Sequence, residues 1–510
     1  MAFEDKLDEL RRREERAREM GGPEKLANRA AAGQLNARER IDHLLDKGSF
    51  RESGLLATSV PPEDRATTPA DGKVSGFGRI DDRRVAVVSN DLTVKGASSA
   101  ATNAKKIAYL KDKATRAGMP IVFLGESSGA RIPDVMDAES MAQGGSDPQQ
   151  YCRRRETPWA SAVLGPCFGS STWYACLSDF VVMRKGAVLA VSSARVTSLA
   201  IGETVDPEEL DGWRLHSDVT GMADAVAETD EEALDMVRCF LSYLPSHAGE
   251  APPRLPAPEH GPDGEALLDL VPDARGRVYD MRKVIAQIVD GDSFFPLKPR
   301  FGKAAITGLA RLGGESVGIV ATNPMILVGA LDPAACRKVT SFLALCDSFH
   351  VPIVILVDTP GFLVGVEGER RAAPAQIMNM MHALQLCSVP KISVILRKSY
   401  GQAFLNLGGG RNSDEIAAWP SADVSFMDPQ IGVSVVLGLR REDDPEKFDA
   451  ACEQFSRGTS AYDMAGVFGV QSVIDPRDTR SYLCAALDTH RAAANNGLGR
   501  RDMAAWPTYF

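Results

Sequence analysis

Four short loops carry the residue types that could stabilise charge during a reaction. The first, GESSGARI at Gly125 to Ile132, directly follows an apolar run ending at Leu124. Small residues between a strand and a helix leave backbone N–H groups free to point at an oxyanion. A tight turn that merely needs small residues reads equally well from the pattern. A second loop, DTPGFLVG at Asp358 to Gly365, has Pro360 where the first has Ser128. Proline removes a donor, so this is the poorer hole. The third and fourth loops are Gly165 to Ser171 (GPCFGSS) and Arg397 to Phe404 (RKSYGQAF), which follow comparable strands. The fourth offers donors at Gly401, Gln402 and Ala403 with cationic neighbours. Cys167 has no His or Asp arrangement to activate it and reads as a small buried thiol. The run Gly408 to Gly410 before Arg411 lacks the GK[ST] of a phosphate cradle and reads as a turn. Arg153 to Arg155 face either phosphate or solvent. His216, His350 and His382 are isolated and structural, and no Cys/His cluster has metal spacing.

The elements that must hold these loops occur twice. Val74 to Leu124 lies over Ile306 to Leu356 without a gap, an offset of 232 residues that places Gly76 on Gly308, Lys106 on Lys338 and Pro120 on Pro352. Gly129 and Gly361 extend the match into the loops, while the third and fourth loops align near an offset of 236. So long a period implies two domains rather than a solenoid. Strands are expected at Val85 to Ser89, Pro120 to Leu124 and Ala187 to Val191, and again at Val317 to Ala321, Pro352 to Val357 and Lys391 to Leu396. Ala101 to Ala117 and Ala334 to Phe349 have helical apolar spacing. Alternating strand and helix predicts α/β domains with buried sheets.

The 510 residues suit two domains with extensions: 1–247 with an N-terminal helical segment, a linker at 248–264 crowded with Pro and Gly, and 265–510. A formal charge of −10 gives no support to general nucleic-acid binding. Nine scattered cysteines without a CxxC pair suit a reducing compartment. Met1 to Met20 has no apolar segment of the kind a secretory signal needs, and no apolar run is long enough to span a membrane. These features place the protein in the cytoplasm, or in an organelle with any transit peptide missing.

In this order the motifs resemble the carboxyltransferase (β) subunit of biotin-dependent acyl-CoA carboxylases, the propionyl-CoA and methylcrotonyl-CoA carboxylase family. The resemblance rests on ARERIDHLLDKGSF at Ala37 to Phe50, SSGARI at Ser127 to Ile132, GPCFG at Gly165 to Gly169 and the stretch Gly212 to Leu234. It continues in VDTPGFLVG at Val357 to Gly365, RKSYGQAF at Arg397 to Phe404 and AAWPSADVSFM at Ala417 to Met427. It implies two tandem crotonase-like (ClpP/crotonase) domains related by duplication, assembled as a homo-hexamer, a dimer of trimers. It also implies that an acyl-CoA enolate attacks CO2 released from carboxybiotin on a separate carrier. The family's first oxyanion hole maps onto Ser128 and Gly129 and its second onto Gln402 and Ala403. Ala130, Gly165, Phe168, Gly169, Gly361, Phe362, Gly401 and Leu405 fall on the substrate-binding side. No AMKM-type biotinylation motif occurs, so biotin and its carboxylase would come from partner subunits.

Three positions depart from the family pattern. Ser128 replaces a glycine at the first hole. Leu405 stands where members often carry an Asp beside the acyl pocket, which suggests a different or larger acyl group, or a simple packing change. Val366 to Pro374 (VEGERRAAP) replaces a glycine-rich, histidine-containing helix start and bears on biotin use more than on CoA use. Two alternatives therefore accompany the carboxyltransferase: a biotin-independent acyl-CoA decarboxylase using the same holes, and a non-catalytic scaffold for a biotin carboxylase.

Overall fold

The computed structural model describes residues 2–132, 134–143, 147–259, 261–491, 497–499 and 501–508. His260 of the expected linker lies outside them, as do the chain ends Met1 and Phe510. Packing separates two units, one built on the chain up to Glu250 and the other on Ala251–Trp506.

The first unit holds eight strands: β1 (Arg51–Glu52), β2 (Lys73–Ile80), β3 (Arg83–Asn90), β4 (Ile121–Ser128), β5 (Trp159–Phe168), β6 (Phe180–Arg184), β7 (Val188–Ala190) and β8 (Ala225–Ala227). They form one sheet in the order β1-β2-β3-β4-β5-β6-β8, with β7 pairing the end of β5. The β2–β3 hairpin is antiparallel and the strands from β3 onward are parallel. The helix Ala101–Ala117 makes the crossover from β3 to β4 and ends on Gly118 in the left-handed conformation.

The second unit repeats this plan. Its strands are β9 (Phe295–Leu297), β10 (Ala305–Leu312), β11 (Glu315–Thr322), β12 (Ile353–Thr359), β13 (Lys391–Tyr400), β14 (Glu415–Ala418), β15 (Asp423–Ser425) and β16 (Ser472–Val473). The order is β9-β10-β11-β12-β13-β14-β16, with β15 pairing the end of β13. The helix Pro333–Ser348, capped by Asp332, makes the crossover to β12. β12 and β13 are buried at every residue, as central parallel strands covered on both faces must be. The α/β fold and its duplication are as the sequence implies.

The residues matched across the repeat have physical reasons. A Cβ on Gly76 would stand 2.3 Å from the Arg51 carbonyl oxygen, and one on Gly308 would stand 2.6 Å from that of Phe295, so each edge strand needs a glycine opposite it. Lys106 Nζ donates to the carbonyls of Ala70 (2.8 Å) and Lys73 (2.6 Å). Lys338 Nζ does the same to Phe301 (3.1 Å) and Ala305 (2.8 Å).

The offset near 236 for the later loops is corrected. β5 and β13 begin at Trp159 and Lys391 and end at Phe168 and Tyr400, so the offset stays at 232 and Gly169, not Gly165, is the partner of Gly401. Gly165 lies inside β5 for another reason: a Cβ there would come within 2.4 Å of Glu126 Oε1.

Candidate active site

β4 delivers the first loop. Its penultimate residue, Ser127, is buried, and its Oγ donates to the Ala97 carbonyl at 3.1 Å while accepting the Gly129 N–H at 3.1 Å. Gly129 has φ 97°, which only glycine adopts without strain, and it is buried. Ser99 N–H donates to the Gly129 carbonyl and Arg131 N–H to the Ser99 carbonyl, both at 2.8 Å. These bonds flank Ala130 as a parallel bridge, which turns its own N–H to the opposite side. There it meets no hydrogen-bond partner among the described residues. Ser128 and Ala130 are both exposed. Gly96 makes room for the Ser128 side chain, because a Cβ on Gly96 would lie 2.7 Å from Ser128 Oγ.

The second unit reproduces this turn bond for bond. Thr359 Oγ1 donates to the Gly329 carbonyl at 2.8 Å and accepts the Gly361 N–H at 3.1 Å. Leu331 N–H donates to the Gly361 carbonyl at 3.0 Å and Leu363 N–H to that of Leu331 at 2.9 Å. Phe362 stands where Ala130 does and is half-buried. Pro360 stands where Ser128 does and has no N–H to offer.

The strands β5 and β13 deliver the other two loops. β13 is followed by Gly401 (φ 60°, ψ −144°), and the helix Gln402–Asn406 begins at once. Phe404 N–H donates to the Gly401 carbonyl at 3.1 Å, which leaves Gln402 and Ala403 as first-turn amides without an intrahelical acceptor. Gln402 is exposed, with its Nε2 on Asn406 Oδ1 at 3.1 Å, and Ala403 is fully buried. Leu405 is half-buried, close enough to Gly410 that a Cβ there would lie 2.6 Å from Leu405 Cδ2. β5 is followed in the same way by Gly169 (φ 64°, ψ −128°), after the half-buried Phe168, and the helix Ser170–Leu177 comes next. Thr172 N–H caps back to the Gly169 carbonyl at 3.0 Å. Ser170 and Ser171 are therefore the counterparts of Gln402 and Ala403. The sequence reading missed this pair, although the unbroken offset of 232 was the signal that could have found it.

Each early loop rises from a buried acid. Glu126 pairs with Arg40 (2.8 Å) and Arg29 (3.1 Å). Burial alone would raise its pKa, but the two guanidinium groups outweigh that and hold the carboxyl below its usual range. Its counterpart Asp358 pairs with Arg397 and Lys398, each at 2.9 Å. These two cations flank the fourth loop in sequence, yet they are turned inward: Arg397 also donates to the carbonyls of Pro272, Ala274 and Arg277. A buried lysine in each unit is pulled toward neutrality by desolvation, Lys106 to about 8 and Lys338 to about 7.

The remaining candidates are structural. Cys167 is fully buried, and desolvation pushes its thiol up to about 12. The arginine run corrects both sequence readings at Arg153 and Arg155, which face neither phosphate nor solvent. Their side chains are only 5% and 6% exposed and share Asp179. His216 Nε2 meets the Leu189 carbonyl at 2.7 Å, His350 Nδ1 accepts from Arg501 and His382 packs edge-on to Trp506. Gly408 and Gly410 have positive φ, as a turn requires. The departing segment forms a short helix, Val366–Arg370, and then Ala372 at φ 56° caps the helix Ala373–Leu386.

Known proteins share this construction. The carboxyl transferase domain family matches residues 28–501. The carboxyltransferase subunit of propionyl-CoA carboxylase from Haloferax mediterranei is 36% identical over 96% of both chains. The α subunit of methylmalonyl-CoA decarboxylase from Propionigenium modestum is 31% identical over 95% of both. The crystal structure of transcarboxylase 12S, a hexamer with methylmalonyl-coenzyme A and methylmalonic acid bound, superposes with a TM-score of 0.89 at 32% identity over 96% of both chains.

Proposed function

This chain belongs to the carboxyl transferase family, and from that footing we propose that it is the carboxyltransferase subunit of a cytoplasmic acyl-CoA carboxylase. It would act as a homo-hexamer, taking a carboxyl group from carboxybiotin on a separate carrier and placing it on the α or vinylogous carbon of an acyl-CoA. The observation that carries this reading is the pair of first-turn amides at Gln402 and Ala403, which have no hydrogen-bond partner among the described residues and are set by a glycine turn at the end of a fully buried strand.

Two negative charges must be held, one on the thioester oxygen and one on the ureido oxygen of biotin. Biotin would supply the transferable carboxyl group and a base for the substrate proton. Amides with no other partner suit an acceptor oxygen, so Gln402 and Ala403 are assigned to the ureido group. The N–H of Ala130, turned away from its bridge to Ser99, and the N–H of Ser128 are assigned to the thioester oxygen. This corrects the expected donor pair of Ser128 and Gly129: the Gly129 N–H is already bonded to Ser127 Oγ, so Gly129 takes the supporting role of tying the loop to Ser127. Such donors are fixed before the reaction begins, so no solvent reorganises as charge develops, and each is worth roughly a hundred- to a thousandfold in kcat. Phe168, Gly169, Gly361 and Phe362 form the turns and strand ends around these donors, Gly165 inside β5 leaves room for Glu126 beneath the first loop, and Leu405 offers an apolar surface to the acyl end.

The decarboxylase alternative draws on the full-length resemblance to the Propionigenium subunit and on the changed segment Val366 to Pro374. Incubating the isolated protein with malonyl-CoA or methylmalonyl-CoA separates the two. Inertness until a biotinylated carrier is added supports the carboxyltransferase, and CO2 release without biotin refutes it in favour of the decarboxylase.

A further inference from the structure

Lys73 opens β2 and is 1% exposed. Its Nζ donates to the Ala97 carbonyl at 2.7 Å, the same oxygen that accepts the Ser127 hydroxyl at 3.1 Å. The Ser127 oxygen in turn accepts the Gly129 N–H at 3.1 Å. A buried ammonium thus begins a three-bond relay that ends in the first loop. The second unit keeps the later bonds of the relay, through Gly329, Thr359 and Gly361, but has Ala305 at the position of Lys73. The scaffold therefore folds without this lysine, and its presence in one copy alone calls for a reason other than folding.

We propose that Lys73 is a positioning residue for the first loop: by clamping the Ala97 carbonyl it fixes the Ser127 hydroxyl and the Gly129 amide, so that the amides of Ser128 and Ala130 are presented against a buried positive charge. This rests on the carboxyltransferase reading. With its proton spent on Ala97, the Ser127 hydroxyl can only accept from Gly129, which locks the loop in its φ-positive turn. A full charge buried in low dielectric also acts on a developing oxyanion more strongly than it would in solvent. The ionisable groups around Lys73 are Cys167 of β5, Asp71 and Arg131, which bond each other at 2.6 Å, and Lys106 of the crossover helix. Asp71 is therefore already ion-paired to Arg131, and Cys167 stays protonated. Desolvation pulls the Lys73 ammonium down to about 7, so its charge is present in acid and lost as pH rises through neutrality.

The test uses the full-length protein with its biotinylated carrier and an acyl-CoA, with kcat and KM followed from about pH 6 to about pH 9. Wild-type kcat should fall about tenfold as Lys73 deprotonates, less than the roughly hundredfold of deleting a donor outright. Lys73→Met should run at the lower level throughout with KM unchanged, and Lys73→Arg should restore the higher level and abolish the fall. Wild-type kcat and pH profile in Lys73→Met would overturn the proposal. Amide hydrogen exchange across Glu126 to Arg131 in the wild type, corrected for the intrinsic effect of pH, needs neither a folded variant nor turnover. Loss of Gly129 protection as Lys73 deprotonates supports the relay, and unchanged protection overturns it. If the wild type turns over no acyl-CoA, the carboxyltransferase reading falls and the exchange measurement still decides the role of Lys73.

Discussion

Replacing Gln402 by proline removes one backbone donor and almost nothing else. Gln402 is the first residue of its helix, where proline is tolerated because the N–H has no intrahelical acceptor and φ near −65° is already helical. The preceding Gly401, at φ 60° and ψ −144°, is outside the right-handed helical region that a following proline disfavours. The exposed side chain forfeits its bond to Asn406 Oδ1, a loss of about 1 kcal/mol at most. Catalysis should suffer far more. An oxyanion donor is worth about 3 to 4 kcal/mol, so kcat should drop roughly a hundred- to a thousandfold with little change in the KM for acyl-CoA. Gln402→Ala is the control, since it loses the same side-chain bond and keeps the amide. Steady-state carboxylation with carrier and biotin carboxylase measures both variants, and thermal unfolding checks that both are folded. A folded Gln402→Pro protein with a kcat within about twofold of Gln402→Ala would refute the assignment of this amide.

Leu405→Asp places a carboxylate where an acyl tail is proposed to lie, and should lower kcat/KM for longer acyl-CoAs about tenfold or more relative to short ones in a substrate-competition assay. Arg40→Ala removes the main partner of two buried carboxylates, leaving Glu126 with Arg29 and Asp230 with Arg184, and should cost about 3 kcal/mol, read from denaturant or thermal unfolding. The folded pKa of Glu126 is lowered from the ordinary 4.5, so its contribution is complete above that value and is lost as pH falls through the lower folded pKa. The stability gap between wild type and Arg40→Ala should therefore narrow in acid below about pH 4.5. Iodoacetamide should alkylate the exposed Cys152 of the native protein and leave Cys167 untouched until unfolding, as mass spectrometry of the modified peptides would show.

The duplication, the crossover helices and the early loops were legible because they depend on periodicity and on small residues at strand ends. The helix Ala101–Ala117 falls on its expected bounds, since an apolar stripe and a following glycine mark both its face and its end. The later loops were misaligned because glycine answers two different demands. Gly165 is small because Glu126 crowds it, whereas Gly169 and Gly401 are glycine because their φ is positive, and letters alone do not separate the two. β2 and β10 were missed: their buried runs are interrupted by glycine, as in KVSGFGRI and AITGLARL, which weakens the propensity signal while close packing retains the strand. Arg153 and Arg155 read as surface charge because their partner, Asp179, lies more than twenty residues away in sequence.

The two copies have kept what holds the loops and changed what faces out of them. The hydroxyl pair Ser127 and Thr359, the acid pair Glu126 and Asp358 and the lysine pair Lys106 and Lys338 all serve the interior, and each is matched at the same offset. The differences fall at Ser128 against Pro360, Lys73 against Ala305, and Ser170 with Ser171 against Gln402 with Ala403. Proline at 360 leaves the second unit with only its helix-start amides as a strong donor pair. The first unit retains an early-loop N–H at Ser128 and has Lys73 behind that loop where the second has Ala305. On one shared backbone, single side chains therefore decide which turn in each copy can meet a negative charge, and the proposed division between thioester and ureido oxygens follows from that divergence.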